Sequence, residues 1–158
     1  AEVKVGVARE VVEDLGNDAP SNLVDAEFCL PYAAAMMLLG ITPGPAWHDP
    51  DLLGSPRVRE AMKKVSLYVD PDMETLFESE SIVGAVVQVK GSDGTSETVK
   101  IERSFGDELN PMSDSDLEAK FRLLANGNIS IHSAERAIES IMGMENLDCI
   151  RDLGNLLS

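Results

Sequence analysis

His48-Asp49-Pro50-Asp51 sets one imidazole and two carboxylates side by side in the chain, the groups that bind divalent metals or shuttle protons. A metal site needs ligands that converge from fixed elements, and a proline-containing turn has a simpler use for its acids as helix caps. The pairs Asp49/Asp51, Asp70/Asp72 and Asp114/Asp116 all fall at loops or helix starts, where carboxylates are favoured by the helix dipole alone. His132 stands between Ser130 and Ser133 and reads as a surface or capping residue. The two histidines are far apart, so no nucleophile–base–acid triad can be assembled. Gly91-Ser92-Asp93-Gly94 joins two strands rather than opening a helix, so it is a hairpin turn and not a phosphate cradle. Met36, Met37, Met142 and Met144 sit at helical spacings and read as packing. The sequence therefore predicts no catalytic residue, no metal site and no cofactor on this chain.

Such residues need elements to position them. Val3, Val5 and Val7 alternate with Glu2, Lys4 and Gly6, the period of a half-buried strand. A turn-rich loop spans 15–22. Pro31 to Gly40 carries no charge, with Pro31 suited to a first helical turn and Gly40 to a stop. A helix apolar all round must be covered on most sides, which makes it the central element of the core. Thr42-Pro43-Gly44-Pro45 interrupts, and Ser55-Pro56 starts a helix through about Lys64 with Val58, Ala61, Met62 and Val65 on one face. Ser66 to Asp70 predicts a short strand, while 72–81 carries no clear pattern. Ile82–Lys90 and Thr95–Phe105 form a strand pair whose alternation in Val99 and Ile101 leaves one face wet.

The C-terminal third predicts three helices. The first is capped by Ser113 or Ser115, with Leu117, Phe121 and Leu124 as a buried stripe and Asp116–Lys120 and Glu118–Arg122 as i,i+4 pairs. Ala134, Ile138 and Ile141 mark the second; Leu147, Ile150, Leu153 and Leu157 mark the third. The expected fold class is α+β, an antiparallel sheet packed with helices in a single domain spanning 1–158.

Charge narrows the partners. Against 13 Lys+Arg stand 28 Asp+Glu, a formal charge of -15. That surface repels phosphate backbones and anionic lipid faces, so neither nucleic acid nor membrane is expected as a partner. It also repels a free carboxylate unless a local basic pocket compensates. Cys29 and Cys149 lie in no ligand spacing and suit reduced thiols in a cytoplasmic protein. The opening Ala-Glu-Val-Lys-Val runs straight into a strand pattern without an initiator Met, which reads as a cut within a longer chain.

Ala26-Glu27-Phe28-Cys29-Leu30-Pro31-Tyr32-Ala33 resembles the A-K-F-S-L-P-Y-A segment in the C-terminal domain of the MmgE/PrpD family. That family includes 2-methylcitrate dehydratase, cis-aconitate decarboxylase and iminodisuccinate epimerase. The resemblance extends to the Val-rich strand, the Leu15–Pro20 turn, the hairpin at Ser92-Asp93-Gly94 and the stretch Gly106–Phe121, where Asn110-Pro111-Met112-Ser113 leads into Asp116-Leu117-Glu118-Ala119-Lys120-Phe121. It implies a lid over an active site whose main acid and base groups lie in a separate helical N-terminal domain, supplied in cis or in trans, and whose substrates are small di- or tricarboxylic acids. It implies substrate-binding positions at Tyr32, which matches the family tyrosine, and at Glu27, where the family usually carries Lys or Arg. Cys29 stands where a serine cap is usual, which implies a weakened helix start. A homodimer is a further possible partner state. The rival reading is a stand-alone binding or assembly module that kept the fold without the chemistry.

Overall fold

The computed structural model describes residues 1–147 and 149–157, and the chain divides into two compact units, Ala1–Asn110 and Pro111–Ser158. The first is built on β1 (Glu2–Val7), β2 (Val65–Val69), β3 (Ala85–Lys90) and β4 (Ser96–Ile101) in the order β2-β1-β3-β4. β1 sits inside the sheet because its valines are needed there: Val3, Val5 and Val7 are all buried. The hairpin pair β3–β4 is antiparallel, with Val87 opposite Val99 and Ala85 opposite Ile101, and β1 also runs antiparallel to β3. β1 and β2 pair in parallel, however, with Val5 opposite Leu67, so the sheet is mixed rather than wholly antiparallel. The reason is the long helical connection between them, which returns the chain to the same end of the sheet before β2 begins. Gly6 lies opposite Tyr68, and the tyrosine ring occupies the space that any side chain at Gly6 would need.

That connection contains α1 (Arg9–Leu15), α2 (Leu23–Glu27), α3 (Leu30–Leu38), a 3-10 turn over Pro45–His48, α4 (Pro50–Gly54) and α5 (Pro56–Met62). The uncharged α3 divides its faces between two clusters. Tyr32, Ala35 and Met36 pack with Val58, Ala61 and Met62 of α5, while Leu30, Ala34 and Leu38 pack on Val3, Val5, Val7, Ala8 and Val11. α3 is thus the middle layer between the sheet and α5, as its lack of charge requires. The segment without a clear pattern is α6 (Pro71–Glu80), started by Asp70, whose side chain accepts from the N–H groups of Asp72 and Met73. Met73 and Phe77 are its anchors, one buried and the other against the sheet cluster.

The second unit contains α7 (Asp114–Ala125), α8 (Ile131–Met142), a 3-10 turn at Met144–Asn146 and α9 (Ile150–Leu156). Leu147 precedes α9, and Asp148, which the predicted third helix would have included, lies outside the described residues. Ser113 and Asp116 form a reciprocal capping box. Arg122 joins α7 to α8 through a two-pronged contact with Glu135 at 2.7 and 2.9 Å and also reaches Glu118 at 3.1 Å. The expected Asp116–Lys120 pair gives way to the box, because Asp116 turns back to Ser113. The expected buried stripe on α7 is overturned as well: Leu117 is 49% and Leu124 46% exposed. The buried residues of this unit lie on α8, at Ala134, Ala137 and Ile138, and two short helices cannot enclose both of their apolar stripes.

Met36 is fully buried and Met37 is 57% exposed, which gives a direct test of the middle-layer role of α3. Met36→Ala is expected to lower unfolding free energy by about 2–5 kcal/mol and Met37→Ala by less than about 0.5 kcal/mol, measured by urea denaturation. The capping box gives a pH test. Hydroxyl and backbone donation from Ser113 hold the Asp116 carboxyl below the usual aspartate value. A depressed folded-state pKa means the box favours the fold above the unfolded-state value and loses that contribution as pH falls through the folded one. Acidification below about pH 4 is therefore expected to fray the start of α7 first, read from the Ser113 amide resonance, and Asp116→Asn to remove that pH dependence.

Candidate functional site

The two residues to which the resemblance assigns substrate contact lie on adjoining helices, Glu27 at the end of α2 and Tyr32 in the first turn of α3. α2 is set by Asn22, whose side chain accepts from the Asp25 N–H at 3.0 Å. α3 is started by Cys29, whose sulfur accepts from the Tyr32 N–H at 3.3 Å and whose thiol donates to the Asn17 carbonyl at 2.7 Å. Burial pushes the Cys29 thiol pKa up, so the group stays a neutral cap. A sulfur is a weaker acceptor than a hydroxyl oxygen, but here the same atom also ties the 15–22 loop to the helix start.

Tyr32 is 2% exposed. Its hydroxyl donates to the Trp47 carbonyl at 2.9 Å, and its ring meets the indole edge-on with centroids 6.5 Å apart at 80°. The Trp47 indole N–H in turn donates to the Ile41 carbonyl at 3.1 Å. Burial, with a lesser contribution from the charge of Asp49, raises the Tyr32 pKa and keeps the phenol protonated. Glu27 reaches the same turn from outside: its carboxylate lies 3.4 Å from Nδ1 of His48, with both side chains about half exposed. The structure therefore brings Glu27, Tyr32 and His48 together around Pro45–His48, the phenol holding the backbone and the carboxylate holding the imidazole. A buried neutral phenol can fix a loop or lend its remaining lone pair.

The other acidic pairs serve as caps. Asp49 accepts from the Asp51 N–H at 2.9 Å to start α4, as Asp70 does for α6. Asp93 accepts from the N–H and hydroxyl of Thr95 and closes the hairpin turn. His132 lies in the first turn of α8 behind the Ser130 cap. No group of three or more His, Cys, Asp or Glu side chains converges among the described residues. Sequence reasoning missed Trp47 as the acceptor for Tyr32 and His48 as the partner of Glu27. Trp47, the single tryptophan of the chain, was the available signal, because a lone indole between prolines is an expensive residue to leave unpacked.

Tyr32→Phe keeps the ring and removes the bond to the Trp47 carbonyl. The expected cost is about 1 kcal/mol of unfolding free energy. Release of the 41–49 loop is expected to red-shift the emission of the lone tryptophan. An unshifted spectrum would show that ring packing alone holds the loop.

The family model described as the MmgE/PrpD C-terminal domain matches residues 1–146. The cis-aconitate decarboxylase of Homo sapiens is 31% identical over 148 residues, which are 92% of this chain and 30% of that protein. The cis-aconitate decarboxylase of Mus musculus is 28% identical over 147 residues, 92% of this chain and 29% of that protein. The chain thus spans about 30% of the length of the curated relatives it matches. With strand, Pro31-Tyr32 helix, hairpin and capped α7 all within the matched span, the chain belongs to the MmgE/PrpD family and carries its C-terminal domain.

Proposed function

We propose that this chain closes the active site of a lyase of the 2-methylcitrate dehydratase and cis-aconitate decarboxylase type, acting on a small di- or tricarboxylic acid, and that it turns over no substrate alone. The observation that carries this reading is the span of the match: nearly the whole chain aligns with under a third of each relative. In this reading a helical domain, joined in cis or supplied in trans, provides the principal acid and base groups. The present chain excludes water and completes the pocket. Glu27 stands at its substrate-facing edge and sets the local charge, while Tyr32, buried with its hydroxyl given to the Trp47 carbonyl, sets the Pro45–His48 turn from beneath rather than touching substrate. Elimination of water or loss of CO₂ beside a carboxylate needs that environment, because desolvation strengthens every charge contact made to the substrate.

A second reading, a binding or assembly module without chemistry, draws on the Glu27–His48 pair: a carboxylate occupies the position that the resemblance gives to a cation, and it is already engaged. The two readings separate in one experiment. The helical domain of the human cis-aconitate decarboxylase is combined with this chain, and both CO₂ release from cis-aconitate and water loss from 2-methylcitrate are measured. Turnover by the pair and by neither part is the expected outcome. Association proven by sedimentation without turnover would leave the module reading. In an active pair, Glu27→Lys reverses a charge near the anionic substrate and is expected to lower KM roughly three- to tenfold with kcat nearly unchanged.

A further inference from the structure

α5 and the residue pair after it carry Arg57, Arg59, Lys63 and Lys64 against one acid, Glu60, in a chain of net charge -15. Two of these cations are engaged: Arg57 donates to the Leu39 carbonyl at 3.4 Å, and Lys63 pairs with Glu60 at 2.6 Å. The guanidinium of Arg59 makes no hydrogen bond or ion pair with the described residues. It stands where two cavities meet. One, of about 630 Å³, is bounded by the start of α2 and by α4; the other, of about 600 Å³, is bounded by Ala19, Met62 and Val65. Pro20, Leu53 and Arg59 line both, so they form one open groove of mixed polar and apolar lining that carries an unmatched fork of N–H donors.

We propose that this groove is an anion site in which Arg59 holds a carboxylate of a small polycarboxylic acid in a two-pronged contact. The ligand class rests on the lyase reading above; the site itself rests on the groove. A guanidinium offers parallel donors at the spacing of two carboxylate oxygens. Leu53 and Pro20 share the lining with Arg59, which itself stays exposed to an incoming ligand. Lys63, just past the end of α5 and lining the second cavity, is held by Glu60, so Arg59 is the cation the groove offers. Asp18 lines that same cavity and opposes an anion there, so a ligand settles on the Arg59 side of the groove. Asn22 and Ser21 line the first cavity; the Asn22 amide donates to the Ser21 hydroxyl, which in turn donates to Asp25, leaving Arg59 as the principal donor.

The test titrates the whole isotopically labelled chain with citrate, with acetate and inorganic phosphate as comparison anions. NMR follows the Arg59 Nε–H and the amides of Val24 and Leu53. Saturable citrate shifts confined to the groove are expected, at least tenfold weaker in Arg59→Gln and intermediate in Arg59→Lys, which keeps the charge without the fork. Arg57→Gln, on the same helix, is expected to bind as the parent does. Because Arg59 is exposed, circular dichroism of the variants should be unchanged. Three results would overturn the proposal: shifts spread over all cationic residues without saturation, phosphate binding as tightly as citrate, or full affinity in Arg59→Gln. Binding to this chain and turnover by the joined domains are separate readouts, so the groove can fail while the lyase reading stands.

Discussion

An uncharged helix that must be covered on two opposite faces organises the first unit. α3 has no lysine, arginine, aspartate or glutamate with which to reach solvent, so its faces can be satisfied only by packing. The sheet takes Leu30, Ala34 and Leu38, and α5 takes Tyr32, Ala35 and Met36. Each large side chain enclosed in this way contributes about 1.5–3 kcal/mol relative to exposure. Covering both faces commits the chain to a long excursion between β1 and β2, and that excursion makes their pairing parallel. The topology of the sheet is thus a consequence of how α3 is buried.

The same constraint positions the polar groups. Once Tyr32 is drawn beneath α5, its hydroxyl must find an acceptor, and the Trp47 carbonyl supplies one. That bond fixes the Pro45–His48 turn, which sets His48 beside Glu27. On the far side, turning Val58, Ala61 and Met62 of α5 inward turns Arg57 and Arg59 outward. The packed and the chemical faces of α5 are therefore specified together.

Elements whose signal is local were legible in the sequence. The valine alternation of β1, the Pro31-to-Gly40 span, the Ser55-Pro56 start, the Asp93-Gly94 turn and the Ser113–Asp116 box all occur where the residues put them. α1 and α2 escaped because each is at most two turns long and carries too few apolar residues to show a period. α6 escaped because Met73, Leu76 and Phe77 are diluted by acids. The parallel pairing of β1 with β2 is a property of the connection and not of either strand. The stripe on α7 has the right spacing for burial but too small a unit around it. At the site, Tyr32 and Glu27 came from resemblance, whereas Trp47 and His48 become partners only when the chain folds back.

A chain this acidic is on average a poor host for an acidic ligand, yet the field that a ligand meets is local. At physiological ionic strength, screening acts over about 8 Å, so distant carboxylates contribute little at any one groove. Within that radius the balance depends on which charges are already neutralised. On α5 Glu60 is paired with Lys63, and at the start of α2 Asp25 is held by Ser21. Acids committed to caps and pairs remain charged, but their oxygens are held by fixed donors. Arg59 has no such commitment, and with Asp18 opposing an anion in the second cavity, the guanidinium acts on a carboxylate that arrives on its own side of the groove. The overall negative charge then governs solubility and long-range approach, while one guanidinium between Pro20 and Leu53 governs what is held.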